Sequence, residues 1–231
     1  MFVDRQCVNC DIRQLNCFAK LTDDDVKFMN SSKTTTLYAK GQVIFHEGRK
    51  PAGIYCLNEG KIKIYRIGPD GKEQIVRFVT PGELFGLRSL IGCCTYSTIA
   101  TTLEDSIICF IPKKVFLRIT IRHPEISHCF MVELSHLLED MENKLISLAQ
   151  KPVRERLAET LLALNSIFNK NGDSFSINLS RSDLANIVGT ATETVIRLLS
   201  EFKDEQLIQI NGRRINILDI DGLKRTGKIA T

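Results

Sequence analysis

The 231-residue sequence predicts an α+β chain in three parts: an N-terminal antiparallel β-roll, one long helix and a small C-terminal winged helix-turn-helix. Three observations predict it. Residues 34–113 break into short runs of strand-forming residues punctuated by glycine turns. From Ile126 the apolar period changes to that of a helix, and after Ser180 two short capped helices precede a pair of alternating strands. A hydrophobic content of 43% with 25% charged residues supplies a core and excludes disordered and collagen-like chains. Thirty-one Lys plus Arg against 27 Asp plus Glu leave only +4, too small a surplus to announce a nucleic-acid or membrane partner. No apolar run reaches the roughly 18 residues that span a bilayer. The start, MFVDRQCVNC, lacks the charged-then-apolar layout of an export signal, so a cytoplasmic location is expected.

In chain order, residues 1–20 form an arm into which Cys7, Cys10 and Cys17 are crowded. Thr22 is suited to N-capping and Asp23, Asp24 and Asp25 to a first turn, so a short helix is expected over 22–30. The strand-like runs are VIFHEG (43–48), GIYCLNEG (53–60), KIKIYRIGPDGKEQIVRFV (61–79), PGELFG (81–86) and SIICFIP (106–112). Alternation is clear in Lys61-Ile62-Lys63-Ile64-Tyr65-Arg66, and Pro69-Asp70-Gly71 marks a hairpin, so 21–122 is expected as one roll.

The helix expected over 123–150 carries Met131, Leu134, Leu138, Met141, Leu145 and Leu148 at spacings of 3, 4, 3, 4 and 3. This is a heptad seam, with Met131, Leu138 and Leu145 at one position and Leu134, Met141 and Leu148 at the other. The stripe would suit the chain's own roll, but a helix standing between two differently patterned regions favours a seam between two copies, hence a twofold homodimer. Lys151-Pro152 breaks the helix and opens VRERLAETLLALNSIF, closed by the turn-forming Asn169-Lys170-Asn171-Gly172-Asp173.

Within 151–231, Ser180 and Asp183 form a cap pair ahead of Leu184, Ile187 and Val188, and Gly189 supplies a turn. Thr190 and Glu193 resemble a second capping box, ahead of the apolar stripe Val195, Leu198, Leu199 and Phe202. Two alternating strands then meet at Asn211-Gly212, with Arg213 and Arg214 just past the tip, the layout of a wing with cations where a phosphate backbone passes. Thr192, Glu193, Thr194, Ile196 and Arg197 lie off the apolar stripe and are candidates for base and phosphate contact. On a lone helix Glu193 and Arg197, four apart, would be read as a surface ion pair worth about 0.2–0.5 kcal/mol. The helix pair, glycine turn and basic wing together point instead to double-stranded DNA. The domain holds 12 basic and 10 acidic side chains, so affinity must come from local placement and dimerisation.

GQVIFHEG, Gly60-Lys-Ile-Lys, PGELFG, VRERLAETLL and above all SRSDLANIVGTATETVIRLLSEF resemble the CRP/FNR family of bacterial transcription regulators, over nearly the whole chain. The resemblance implies a cyclic-nucleotide-binding-like β-roll, a dimerisation helix, a winged helix-turn-helix, palindromic DNA and RNA polymerase as a partner. It places the family's base-reading Glu and Arg on Glu193 and Arg197, and a phosphate-facing position on Thr194. Ile196 and Thr192 depart from common family choices, so the outer bases of the half-site are expected to differ. Gly82 and Glu83 match the family's ribose-binding pair and Ser97 part of its phosphate loop, but the phosphate-binding arginine falls on Tyr96. A vestigial pocket that does not take cyclic AMP is therefore expected, since the phosphate would lose its bidentate partner.

Eight cysteines remain to be explained. The family's oxygen-sensing branch holds a [4Fe-4S] cluster through three N-terminal cysteines and one in the roll. The resemblance places these on Cys7, Cys10, Cys17 and Cys109, with six residues rather than five between Cys10 and Cys17. Cys56 and Cys129 read as plain buried residues, and the adjacent Cys93-Cys94 as a poor chelator. Alternatives stay open: zinc with a histidine, a thiol–disulfide switch, a small ligand, haem with His46, His123, His128, His136 or a cysteine as axial ligand, or idle cysteines and no cofactor. A thiol oxidoreductase built on Cys7-x2-Cys10 is the rival from another class, but no βαβ context surrounds the motif, so no enzyme is expected.

Overall fold

Thr22 caps the first helix as its sequence requires: its hydroxyl oxygen accepts the Asp25 N–H at 3.3 Å, and α1 runs Asp23–Ser32 with three acids in its first turn. The computed structural model describes residues 5–168 and 177–229. It divides into two units, one reaching Gly71 and including Ile75–Glu139, the other comprising Lys72–Gln74 and the chain from Asp140 onward.

The strands of the roll, all in the first unit except the first two residues of β5, are β1 (Thr34–Tyr38), β2 (Val43–Phe45), β3 (Gly53–Glu59), β4 (Ile62–Ile67), β5 (Glu73–Val79), β6 (Leu84–Phe85), β7 (Ile99–Thr102) and β8 (Ser106–Pro112). They form two four-stranded sheets, ordered β1-β8-β3-β6 and β2-β7-β4-β5. The hairpin expected at Pro69-Asp70-Gly71 joins β4 to β5, with Gly71 at φ +73. Period-2 alternation sorts side chains between two cores. From β3, Leu57 enters the interior with Phe45, Ile62, Val79, Phe85, Tyr96 and Ile108, while Ile54 and Cys56 face the opposite side. That second face is covered by α1, by α2 (Leu87–Ile91), by α3 (Lys113–Arg122) and by the start of α4 (Pro124–Gln150), through Val26, Met29, Leu87, Leu90, Phe116, Ile119, Ile126 and Phe130.

The arm lies on this same face as two 3-10 turns, Asp11–Leu15 and Cys17–Lys20. The fully buried Phe18 meets Phe130 edge-on at 5.6 Å, and burial of such a ring contributes about 1.5–3 kcal/mol. Arg13 ties the arm together, its guanidinium donating to the carbonyls of Cys7 at 3.1 Å and Phe18 at 3.0 Å.

One buried charge braces α1 against α3. Asp25, 3% exposed, accepts from Arg122 at 3.0 Å and from His123 at 2.7 Å. Bonds from Thr22 and His123 hold the Asp25 carboxyl below its ordinary value of 3.8. The bond to Asp25, assisted by Glu125, holds His123 above 6.5. The depressed carboxyl stabilises the fold above about pH 4, a contribution lost as pH falls through its folded pKa. The raised imidazole stabilises it below about pH 6.5, a contribution lost as pH rises through its folded pKa. Urea unfolding is therefore expected to lose stability from about pH 6.5 upward in the wild type, and that alkaline slope is expected to flatten in His123→Gln.

The second unit comprises the end of α4, α5 (Val153–Phe168), β9 (Ile177–Asn178), α6 (Arg181–Val188), α7 (Thr192–Asp204), β10 (Ile208–Asn211), β11 (Arg214–Ile217) and α8 (Ile220–Gly227). Leu157, Leu161 and Leu164 of α5 are buried, as are Leu184, Val188, Val195, Leu198, Leu199 and Phe202 of the helix pair. The turn expected at Asn169–Asp173 lies outside the described residues.

Along α4 the two heptad positions part company. Met131, Leu138 and Leu145 stand 57%, 60% and 66% exposed, whereas Leu134 packs on the chain's own core and Met141 is half-buried. Leu148, of the second position, is 38% exposed. One row thus serves, at least in its first turn, the packing expected of the roll, and the other row is open.

Candidate nucleic-acid interface and thiol site

Ser180 caps α6, its hydroxyl oxygen accepting the Asp183 N–H at 2.9 Å, and Gly189 closes the helix in the left-handed region at φ +71. The second cap differs from the expectation. The N-cap of α7 is Ala191, not Thr190, because the helix begins only at Thr192, after the Gly189 turn. Alanine carries no side-chain acceptor, so the first N–H groups of α7 are left open to an acceptor from outside. A phosphate fits that role.

The stripe Val195, Leu198, Leu199 and Phe202 is buried, which turns Glu193, Ile196 and Arg197 outward and leaves Thr192 and Thr194 half-buried. Arg197 pairs with Glu201 one turn on, not with Glu193. Glu201 is itself held by Arg154 of α5 at 3.0 Å, and Arg154 also grips Glu205 at 2.6 Å and lies over the Phe202 ring. The guanidinium of Arg197 is thus pre-oriented by a chain that starts in α5, a connection no local motif announces.

The wing is a tight hairpin with Asn211 facing Arg214 and the two-residue loop Gly212-Arg213, one position later than expected. Gly212 takes φ +58, as such a loop demands. β9 adds a third strand beside β11. Arg213 and Arg214 are exposed, and Arg181 at the start of α6 donates to the Gly212 carbonyl at 3.0 Å, bringing a further cation to the tip.

In the roll, the residues expected to form a vestigial nucleotide pocket have found partners in the chain itself. A Cβ on Gly82 would lie 2.9 Å from Leu15 of the arm, and Asn16 donates to the Gly82 carbonyl at 3.1 Å. Glu83 accepts the Thr80 N–H at 3.2 Å and lies 3.5 Å from Arg77. Ser97 receives the guanidinium of Arg88, and Tyr96, where arginine was expected in a cyclic-nucleotide binder, is buried against Phe45 at 3.9 Å between ring centroids.

The cysteines are partitioned in a way the sequence did not suggest. Cys17 is joined to Cys129 of α4 in a disulfide with Cα atoms 5.7 Å apart, so in this structure it offers no thiolate. Cys129 is therefore not the plain buried residue that was expected. Glu133 stands beside the pair, 3.3 Å from Cys17. Cys7, Cys10, Cys56 and Cys109 are free and gather on the arm-covered face of the roll, and Cys93 and Cys94 are exposed elsewhere. Cys7 lies within electrostatic reach of Cys10 and Cys109, and Cys56 within reach of all three. Burial pushes the Cys7 thiol up to about 11 and Cys56 higher still, so metal binding there must displace protons.

Thiols are the soft donors an iron–sulfur cluster takes, and three of these sulfurs have a polar group nearby: Asn58 at 3.6 Å from Cys10, Asn16 at 3.7 Å from Cys56, Thr35 at 3.5 Å from Cys109. Among the described residues the one group of potential ligand atoms all within 4.8 Å of one another is Cys17, Cys129 and Glu133. For haem the histidines offer less. Both ring nitrogens of His123 are bonded to carboxylates, and His46, His128 and His136 lie exposed on the surface.

Residues 35–123 match the cyclic nucleotide-binding domain model, and residues 155–226 the Crp-like helix-turn-helix domain model. The chain is 30% identical to the regulatory protein HlyX of Actinobacillus pleuropneumoniae, covering 94% of this chain and 92% of that one. It is 29% identical to the fumarate and nitrate reduction regulatory protein of Vibrio cholerae, covering 92% and 86%. Among solved structures FixK2 from Bradyrhizobium japonicum superposes with a TM-score of 0.76 at 24% identity, over 86% of this chain and 99% of that one, and so shares the fold. HlyX and the Vibrio protein are both named as regulatory proteins. With roll, helix pair and wing in place, the chain belongs to the CRP/FNR family of helix-turn-helix transcription regulators.

Proposed function

We propose that the protein is a homodimeric regulator that reads a palindromic DNA site and is controlled by a redox or gas signal through an iron–sulfur cluster held between its N-terminal arm and its roll. The observation that carries the sensing part is the gathering of arm thiols Cys7 and Cys10 with Cys109 of β8 under polar donors. The name of the Vibrio relative, a fumarate and nitrate reduction regulator, supports the same class of signal. When bound, a cluster supplies a redox-active, oxygen-sensitive link among its thiolates. The chain's own residues do the rest. Arg13 shapes the arm around those thiols, and Phe18 seats it against Phe130 of α4. A change in the arm thus has a packed route to the helix that carries the open Met131, Leu138 and Leu145 row.

Pairing along that row would set the spacing of two copies of α7 on DNA, with Glu193 and Arg197 toward base edges, Thr192, Thr194 and Ile196 beside them, and Arg213 and Arg214 toward phosphates. RNA polymerase is the further partner that such a DNA-bound regulator addresses.

Purification without air, followed by iron and sulfide analysis and an absorption spectrum, tests the sensor. Iron and sulfide with a broad visible chromophore are expected. Iron without a sulfide-dependent chromophore would remove the cluster, and a sharp Soret band would transfer the role to haem.

A further inference from the structure

Taking the palindrome-reading dimer above as the basis, we propose that Arg156 of α5 fixes the spacing between the two half-sites that the regulator accepts, by clamping the C-terminal end of α4 to the turn between α6 and α7. Arg156 is thus a positioning residue, acting on DNA through the helices it holds.

A helix end leaves its last carbonyls without intrahelical partners, and a cation there meets both hydrogen-bond acceptors and the negative end of the helix dipole. Arg156 meets two such ends at once. At the end of α4 its Nη1 donates to the Lys151 carbonyl at 2.8 Å, with the Leu148 carbonyl at 3.5 Å. At the end of α6 its Nε donates to the Val188 carbonyl at 3.0 Å and its Nη2 to the Gly189 carbonyl at 3.3 Å. The planar fork divides its donors between α4 and the helix pair in one fixed geometry, which the point charge of a lysine does not reproduce.

Two further contacts close the joint. Gly189 takes φ +71, and a Cβ there would lie 2.9 Å from the Leu148 Cδ2, so the turn rests directly on α4. One turn beyond Arg156, Glu159 accepts from the Ser147 hydroxyl at 2.9 Å and from the Lys151 ammonium. The break at Lys151-Pro152 is therefore stapled across from α5. The core of the domain is closed by apolar side chains, among them Leu157, Leu161, Leu184 and Val195, each 0% exposed, so the fold does not hang on Arg156. Because α7 follows the clamped turn, its placement is tied to α4 and, through the seam, to its twin. Moving a half-site by one base pair displaces it by about 3.4 Å and turns it by about 35° around the DNA axis. Two clamped readers do not follow such a change, whereas two released ones do.

The full chain, purified without air, selects its site from a random duplex pool, and that palindrome is rebuilt with its half-sites one base pair closer and one base pair further apart. Affinities of the wild type, Arg156→Ala and Arg156→Lys for the three duplexes are compared by fluorescence anisotropy, with melting temperature as the check on folding. The wild type is expected to lose about a hundredfold in affinity on either altered spacing, the order of one or two lost base contacts, and Arg156→Ala less than about tenfold. The ratio of affinities is the readout, because a general loss of stability or of charge lowers all three alike. Arg156→Lys keeps the charge without the fork and is expected to relax the spacing in the same direction. An Arg156→Ala chain as exacting about spacing as the wild type overturns the proposal, as does a wild type indifferent to the spacing of the palindrome it selects. Should Arg156→Ala fail to fold, Arg156→Lys decides, since a relaxed spacing supports the clamp and wild-type sharpness contradicts it. A wild type that selects no palindrome overturns the dimeric reading itself, an outcome distinct from a clamp that sets no spacing.

Discussion

Replacing Arg197 by alanine is expected to abolish discrimination between a palindromic site and a scrambled duplex while leaving most salt-dependent binding in place. The side chain is exposed on α7 and already aimed by Glu201, which Arg154 holds from α5. A bidentate arginine on guanine contributes about 1–3 kcal/mol of discrimination, and a twofold dimer makes that contact twice, so the expected loss is about 2–6 kcal/mol. Arg197→Lys keeps the charge but not the planar fork, and is expected to discriminate almost as poorly. Fluorescence anisotropy on the two duplexes at several salt concentrations separates the terms, because loss of a base contact leaves the salt slope unchanged. Unaltered discrimination in Arg197→Ala would remove this residue from the interface.

The second large effect concerns the open row of α4. Leu138→Glu is expected to leave the chain folded and convert it to a monomer. In the single chain Leu138 is 60% exposed and contributes little to the core, whereas on a twofold seam it meets its counterpart. Each buried leucine contributes about 1.5–3 kcal/mol, and the substitution removes two while placing two like charges at the seam. Sedimentation equilibrium reads the mass, and DNA affinity is expected to fall with it, since a monomer engages one half-site. A Leu138→Glu chain that remains dimeric would move the interface elsewhere.

What was legible in the sequence was local. Thr22 and Ser180 announce their helices because a cap is settled within three residues, and Leu198, Leu199 and Phe202 announce a buried face because helical period fixes it. The second cap misled because Thr190 and Glu193 have the right spacing, while the left-handed Gly189 delays the helix to Thr192. β7 and α3 carried signals that went unused: Ile99-Ala-Thr-Thr is rich in β-branched residues, and Val115, Phe116 and Ile119 follow a helical stripe. The Cys17–Cys129 pair, 112 residues apart, and the Arg154–Glu201 bond, 47 apart, have no local spacing to betray them, since tertiary packing alone brings them together. The same holds for Cys56. As a sequence position it is one more apolar-flanked cysteine, and only the β3–β8 register sets it beside Cys109.

The most direct test of the account is DNase I footprinting with the chain purified without air, before and after exposure to air, on genomic fragments or a selected duplex pool. A protected site with twofold symmetry, whose occupancy changes on exposure and is absent with Arg197→Ala, is the result predicted. Protection without symmetry, or a symmetric footprint indifferent to both air and Arg197, would contradict the reading of this chain as a dimeric DNA reader governed by its cysteines.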